Sequence, residues 1–505
     1  MKQKLNNANI KLWGITLLLC LTSVLIIWAR SELINADTAW HINLGEWILK
    51  NKTVPTTDIF SQSTVIDGNT STFLSHQWLT DIIFSIIHKI GKMNLLYIVM
   101  VITIFLGHLM VIKHNKENSR ITAAIILLLY SIIGFHKELW ITPDTIAAIY
   151  MLGMNLFIVN WIKSSDRDLK FIKTLIINSI ATVILGNIHG GMLSANLIVQ
   201  AITLCSYIIF IKDNSIKIRI KQAIILLAST FVCGLINPHG IKIYGYGFMN
   251  SSTAAEYLAD WETYKFDNSI QIVVVGLLVL LAIIGIVIQY QKEQDKSKIK
   301  IDIVLFCMYA AMLFRYQRTL NIFTLAFALY LSKYVYVSFK EIISTIRFKR
   351  FGLVKKISTI LAIIIALVVD LSILTNKPVE NKTIQECAYD YISPEMVDYI
   401  KTDNGQIKIF NTIECGGYLI CLGIAPYIDG RTDPYLSEYG NQDLFTKSIK
   451  AVHSIEYLEG LTRAEGIDCL ILRKNAISSQ IIYASDKWEV KYESKAAVMF
   501  VRAKD

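Results

Sequence analysis

The sequence predicts an α-helical polytopic membrane protein of about eleven transmembrane helices, followed by a C-terminal extracytoplasmic α/β domain. Three observations predict it. Apolar runs of membrane-spanning length recur from residue 12 to residue 375. Every second loop between them is basic. Residues 376–505 break the pattern and alternate short strand-like and helix-like stretches.

The 505 residues are 53% hydrophobic and only 18% charged, and the mean hydropathy of +0.46 excludes an ordinary soluble protein. The net charge of +10 does not argue for nucleic acid, because the basic residues sit in short loops between apolar runs. Lys113, Lys116 and Arg120 form one such cluster; Lys163, Arg167, Lys170 and Lys173 form the next. Basic loops mark the cytoplasmic side.

The first apolar run, 12–29, is followed by no small-residue cleavage site and by many further runs, so it reads as a retained helix. Lys2, Lys4 and Lys11 place the N-terminus in the cytoplasm. Spans are expected near 12–30, 94–112, 121–135, 144–161, 174–188, 191–211, 222–236, 269–289, 301–314, 319–336 and 357–375. This divides the chain into a transmembrane domain, 1–375, with a structured first outer loop at 31–93, and an outer domain, 376–505. The odd count sends that domain outside a cell membrane.

In the first loop, Trp40, Leu44, Trp47 and Ile48 make one apolar stripe at helical spacing. Trp78, Leu79, Ile82, Ile83, Ile86, Ile87 and Ile90 make a second. Both suit helices lying in the membrane interface. In the outer domain, strands are expected at 407–411, 426–429 and 467–472, helix after Gly416 and over 436–466, and a closing hairpin from 487–492 and 496–502. Cys387, Cys415, Cys421 and Cys469 lie there, an even number that permits disulfides in an oxidising compartment.

Almost every unusual polar residue falls on the outer side. Asp37 suits a helix N-cap, and equally a carboxylate at the membrane surface serving as general base or metal ligand. His41 shares its helix face, four residues on, and could donate to a phosphate or a sugar. Asp58 reads as a turn residue or as a second acidic group around a cation such as magnesium or manganese. Glu138 is the candidate second carboxylate, in the short second outer loop. Asn187 and His189, and Asn237 and His239, precede glycines where spans meet the outside, and suggest a shared polar pocket with Glu256 on its rim. Arg315 and Arg318 share a short outer turn, where their forked guanidiniums suit lipid phosphate oxygens. Asp429, Gly430 and Arg431 read as a turn.

Taken in order, Asp37, Trp40, His41 and Gly45, then Pro55, Asp58, Phe60 and Ser61, Trp78 with Leu79, the two Asn/His–Gly pairs, Gly416 to Tyr418 and Asp429 to Arg431 resemble the GT-C superfamily of membrane glycosyltransferases. The pattern is closer still to a family of largely uncharacterised bacterial integral membrane proteins. The resemblance covers nearly the whole chain and implies transfer of a sugar from a polyprenyl-phosphate or -diphosphate donor on the outer side. It implies a catalytic or metal-binding role for Asp37, maps the second acid to Glu138 or Asp58, and gives Arg315 and Arg318 the donor phosphate. The partners it implies are the bilayer, a polyprenyl-linked sugar and an acceptor of unknown kind. The chain lacks the Trp-Trp-Asp of the oligosaccharyltransferase acceptor-reading segment that Gly416, Gly417 and Tyr418 loosely resemble. Two other readings compete: a flippase for a lipid-linked substrate, and a non-enzymatic assembly protein of the cell envelope. Flippases place ionisable groups near the midplane, whereas this chain gathers them at one face.

Overall fold

A computed structural model of the protein describes residues 2–31, 34–66, 69–136, 140–212, 215–246, 262–345, 351–376, 381–402 and 407–503. Its first part is helical: α1 (Lys2–Arg30), α2 (Ala36–Asn51), α3 (Trp78–His114), α4 (Glu117–Ile132), α5 (Pro143–Ile162), α6 (Arg167–Ile188), α7 (Gly191–Phe210), α8 (Ile216–Gly234), α9 (Ser269–Lys292), α10 (Ser297–Arg315), α11 (Leu320–Thr345) and α12 (Phe351–Asn376). Each expected span falls on one of these helices. Among the described residues, 7 are long and apolar enough to cross a membrane. Helices α8 and α10 carry lysines or arginines near their starts, and α4 has only a short apolar stretch. The protein is a multi-pass membrane protein. Ile98, Ile102 and Leu106 on α3, and Ile172, Ile176, Ile180 and Ile184 on α6, stay exposed at helical spacing. Lipid is the solvent that suits such faces.

Helix α2 begins two residues earlier than an Asp37 cap would place it. Asn35, not Asp37, is its N-cap: Asn35 Oδ1 accepts from Thr38 N at 3.0 Å, and Thr38 Oγ1 accepts from Asn35 N at 3.5 Å. The reciprocal pair satisfies two donors of the first turn and leaves the Asp37 carboxylate for other contacts. Helix α3 joins the second interfacial stripe to the next span, with a break at Gly91 and Lys92, where the backbone leaves helical angles. Lys92 takes a positive φ of 52°, and the amide of Met93 donates to Lys382 O at 3.1 Å.

Helices α2 and α3 pack backbone against backbone at Gly45. A Cβ there would lie 2.0 Å from Asp81 O and 2.9 Å from Ser85 Cβ. Gly45→Ala is therefore expected to push the two helices apart and to cost about 1–3 kcal/mol, read as a lower melting temperature in detergent.

After α12 come α13 (Ile384–Tyr389), α14 (Pro394–Thr402), β1 (Ile409–Asn411), α15 (Ile413–Cys421), α16 (Leu444–His453), α17 (Ile455–Glu465), β2 (Cys469–Arg473), α18 (Ile477–Tyr483), β3 (Trp488–Glu493) and β4 (Ala497–Arg502). The sheet order is β1-β2-β4-β3, with β1 and β2 parallel and the other pairs antiparallel. Phe410, Leu470, Val498 and Phe500 fill its core with Phe445 and Leu458 from α16 and α17.

The expected strand at 426–429 does not form. The side chain of Asn411 takes its place in the ladder: Nδ2 donates to Ile428 O and Oδ1 accepts from Tyr427 N, each at 2.7 Å. All four cysteines of this region are buried and free, so the disulfides their even number permits are not made among the described residues.

Candidate active site

One cavity of about 1620 Å³ lies where the first loop, the ends of α5, α7, α10 and α11, and the C-terminal sheet region meet. Asp37 lines it from the first turn of α2. Its Oδ1 accepts from Trp40 Nε1 at 3.0 Å. Burial raises the Asp37 carboxyl above its ordinary value; His41 and the Trp40 hydrogen bond oppose this, and the charges of Asp429 and Asp144 reinforce it. A carboxylate of raised proton affinity is a better base.

His41 also lines the cavity, with its Nδ1 2.6 Å from Asp81 Oδ1. That pair orients the ring and ties α2 to α3. Across the cavity, Arg318 is ion-paired to Asp144, whose Oδ1 also lies 2.9 Å from His189 Nε2. Arg315 is exposed on the same rim, its guanidinium carbon 4.5 Å from the Tyr316 ring centre. Between these groups and the membrane-spanning helices the wall turns apolar. Ala195, Ile198 and Ile202 line it from α7, and Met308, Ala311 and Met312 from α10. The spacing of three to four residues keeps each set on one helix face.

Asp58 does not line the cavity. Its Oδ1 takes Arg431 Nη1 at 2.6 Å, its Oδ2 accepts from Thr64 Oγ1 at 3.0 Å, and it is fully buried. Arg431 holds its carboxyl below the usual range, against the effect of burial. The acid read from the sequence as a cation ligand is thus committed to a guanidinium. Asn187 and Asn237 do not line the cavity either. Asn187 bridges Val183 O and Ile236 O, each at 2.8 Å, and accepts from Trp78 Nε1 at 2.9 Å. Asn237 closes its own turn on Gly234 O and the amide of His239. His239 lies 3.4 Å from Ser75 Oγ, outside the lining. Of the proposed pocket set, His189 faces the cavity; Glu138 and Glu256 lie outside the described residues.

Asp81, Asp144 and His76 also line the cavity, beyond the residues argued from the sequence. Asp81 and Asp144 stand in the first turns of α3 and α5. Asp433, another, donates nothing and accepts from Leu74 N; burial pushes its carboxyl up to about 7. For a divalent cation the fit is poor. Among the described residues no three His, Cys, Asp or Glu side chains gather to hold one, and the acids whose charge acts on Asp37, Asp429 and Asp144, are paired to Arg431 and Arg318.

A cavity with a carboxylate on an interfacial helix, set in a polytopic helical bundle and roofed by a C-terminal sheet region, defines a fold class. The chain shares its overall fold with solved archaeal oligosaccharyltransferases. It is similar to the archaeal oligosaccharyltransferase AglB from Archaeoglobus fulgidus, solved in complex with an inhibitory peptide and a dolichol-phosphate. That match has a TM-score of 0.57 and 12% identity, and covers 92% of this chain and 70% of that one. The Archaeoglobus fulgidus oligosaccharyltransferase in its apo form matches with a TM-score of 0.54 and 11% identity, over 92% and 69% of the two chains. At these identities the likeness is one of fold. No protein-family model matches the chain, and no curated protein matches it.

Proposed function

We propose that the protein is a membrane glycosyltransferase that moves a sugar from a polyprenyl-(di)phosphate donor to an acceptor on the extracytoplasmic side. One observation carries this reading: a single cavity joins a free carboxylate oxygen of Asp37, the arginines Arg315 and Arg318, and an apolar wall on α7 and α10. A polyprenyl phosphate has the matching parts, an anion and a hydrocarbon tail. The likeness in fold to a protein solved with a dolichol-phosphate supports the same carrier class.

In the proposed reaction, the acceptor heteroatom attacks the anomeric carbon as the bond from that carbon to the phosphate oxygen breaks. Asp37 takes the acceptor's proton. The departing phosphate keeps the bonding electron pair, and Arg315 and Arg318 stabilise its charge. Attack from the face opposite the leaving group inverts the anomeric centre. The basic loops face the cytoplasm and the cavity opens outside, in line with the charge pattern.

The test is turnover of a labelled polyprenyl-phosphate sugar by the purified chain, read as release of bare polyprenyl phosphate. No release above a heat-treated control, at any pH between 5 and 9 as a rough span of working ionisation states, would sink the reading. For Arg318→Gln, binding of bare polyprenyl phosphate is expected to weaken about 10- to 100-fold, the loss of one charge-assisted pair. Microscale binding to detergent-solubilised protein checks this.

A further inference from the structure

We infer that Arg431 is a positioning residue for Asp37: it anchors the loop whose Gly430 backbone walls off one carboxylate oxygen and leaves the other facing the cavity. The inference rests on the reading of Asp37 as the base.

The anchor is closed on all sides. Arg431 donates to Asp429 Oδ2 at 2.6 Å and Oδ1 at 2.8 Å, to Asp58 Oδ1 at 2.6 Å, to Ser61 Oγ at 2.9 Å and to Tyr435 Oη at 3.2 Å. Its guanidinium carbon lies 5.0 Å from the Phe73 ring centre and 5.1 Å from that of Phe60. Such a forked, ring-flanked cation has one geometry. Residues Asp58, Phe60 and Ser61 of the first loop and Asp429 and Arg431 of the C-terminal region are therefore one device.

Its output is at Gly430. A Cβ on that residue would lie 2.0 Å from Asp37 Oδ1 but 3.6 Å from Oδ2. Oδ1 also accepts from Trp40. Oδ2 has no hydrogen-bond partner among the described residues, and it is the oxygen left to take a proton. Two further glycines bring the same backbone in. A Cβ on Gly417 would lie 1.9 Å from Ala36 O, and one on Gly416 would lie 2.2 Å from Ile428 O. Helix α15 is thus wedged between the start of α2 and the 428–430 segment, and its glycines let both backbones come this close.

The charge of the device acts in the same direction. Two carboxylates and one guanidinium leave a net negative charge beside Asp37. The other groups facing Asp37 are His41, paired to Asp81, on α2 and α3, Asp144 on α5 and Tyr418 on α15. Asp429 raises the Asp37 proton affinity, so removing its charge lowers it, and the acidic limb of the rate profile moves to lower pH.

The experiment compares Gly430→Ala, Asp429→Asn and Arg431→Lys with Asp37→Asn in the full chain, measuring kcat, KM for the donor and the pH profile of turnover. Arg431→Lys keeps a charge and loses the fork. Gly430→Ala and Arg431→Lys are expected to lose at least about tenfold in kcat at unchanged donor KM. Asp429→Asn is expected to move the acidic limb to lower pH. Wild-type kcat and pH profile in all three variants, with Asp37→Asn inactive, would overturn the positioning role and leave the base reading standing. Full activity of Asp37→Asn would overturn both.

Discussion

Asp37→Asn is expected to lower sugar transfer by about 10²–10⁴-fold, the range lost when a positioned general base is removed. The amide is nearly isosteric, so the helix start, the Asn35 cap and the packing against Gly430 survive. What it loses is the proton acceptor. It can still accept the Trp40 hydrogen bond through its remaining oxygen, whereas the NH₂ group then occupies the place of the free oxygen. The acceptor's proton has no destination at that position. Donor binding depends on the opposite wall, at Arg315 and Arg318, and is expected to stay within about twofold of wild type. Parallel measurement of donor KM and kcat separates the two effects: a raised KM with kcat unchanged would assign Asp37 to binding instead.

Arg431→Met is expected to carry the largest cost in stability. The substitution keeps length and apolar contact with Phe60 and Phe73 and removes the cation from between two carboxylates that are 5% and 0% exposed, Asp58 and Asp429. Breaking a buried pair from one side leaves uncompensated charge, which costs about 3–5 kcal/mol. The loss is expected at the joint between the first loop and the C-terminal region, so limited proteolysis of the two regions should rise before the helical bundle melts. The same joint is sensitive to acid. Asp58 is held below its ordinary range in the folded state. Its contribution is complete above the ordinary carboxylate range and is lost as pH falls through the depressed folded value. Proteolysis of Arg431→Met should then resemble that of the wild type held at low pH.

Much of the fold was legible because membrane spans and half-buried strands leave strong local signals. The apolar runs from residue 12 to 375 each became a helix. Short continuous apolar runs in Cys469–Arg473 and Ala497–Arg502 marked two strands of the sheet, both buried along most of their length. The strand expected at 426–429 failed for a tertiary reason: a side-chain amide, Asn411, satisfied the backbone groups that a neighbouring strand would have taken. The helix cap was misplaced by two residues because Asn35 and Asp37 are both good caps, and the reciprocal bond to Thr38 decides between them. At the site, Asp37, His41, His189, Arg315 and Arg318 were found as ionisable residues at the outer ends of apolar runs. Their partners were not. Asp81 and Asp144 look like ordinary first-turn acids until α2 meets α3 and α5 meets the α10–α11 turn. Asn187 and Asn237 were read into the pocket through their neighbours, yet their amides serve helix ends.

The Asp58–Arg431 pair spans 373 positions of sequence, and this has a consequence for how the protein is made. At typical rates of about 5–20 residues per second, roughly 20–75 seconds separate the emergence of the carboxylate from that of its guanidinium. Through that interval Asp58 waits without its cation and Asp37 without its wall. The pocket is a late product of biogenesis, completed by the last fifth or so of the polypeptide. A nascent chain stalled before the C-terminal region would insert its helices and present a half-built, inactive surface, open to quality-control proteases.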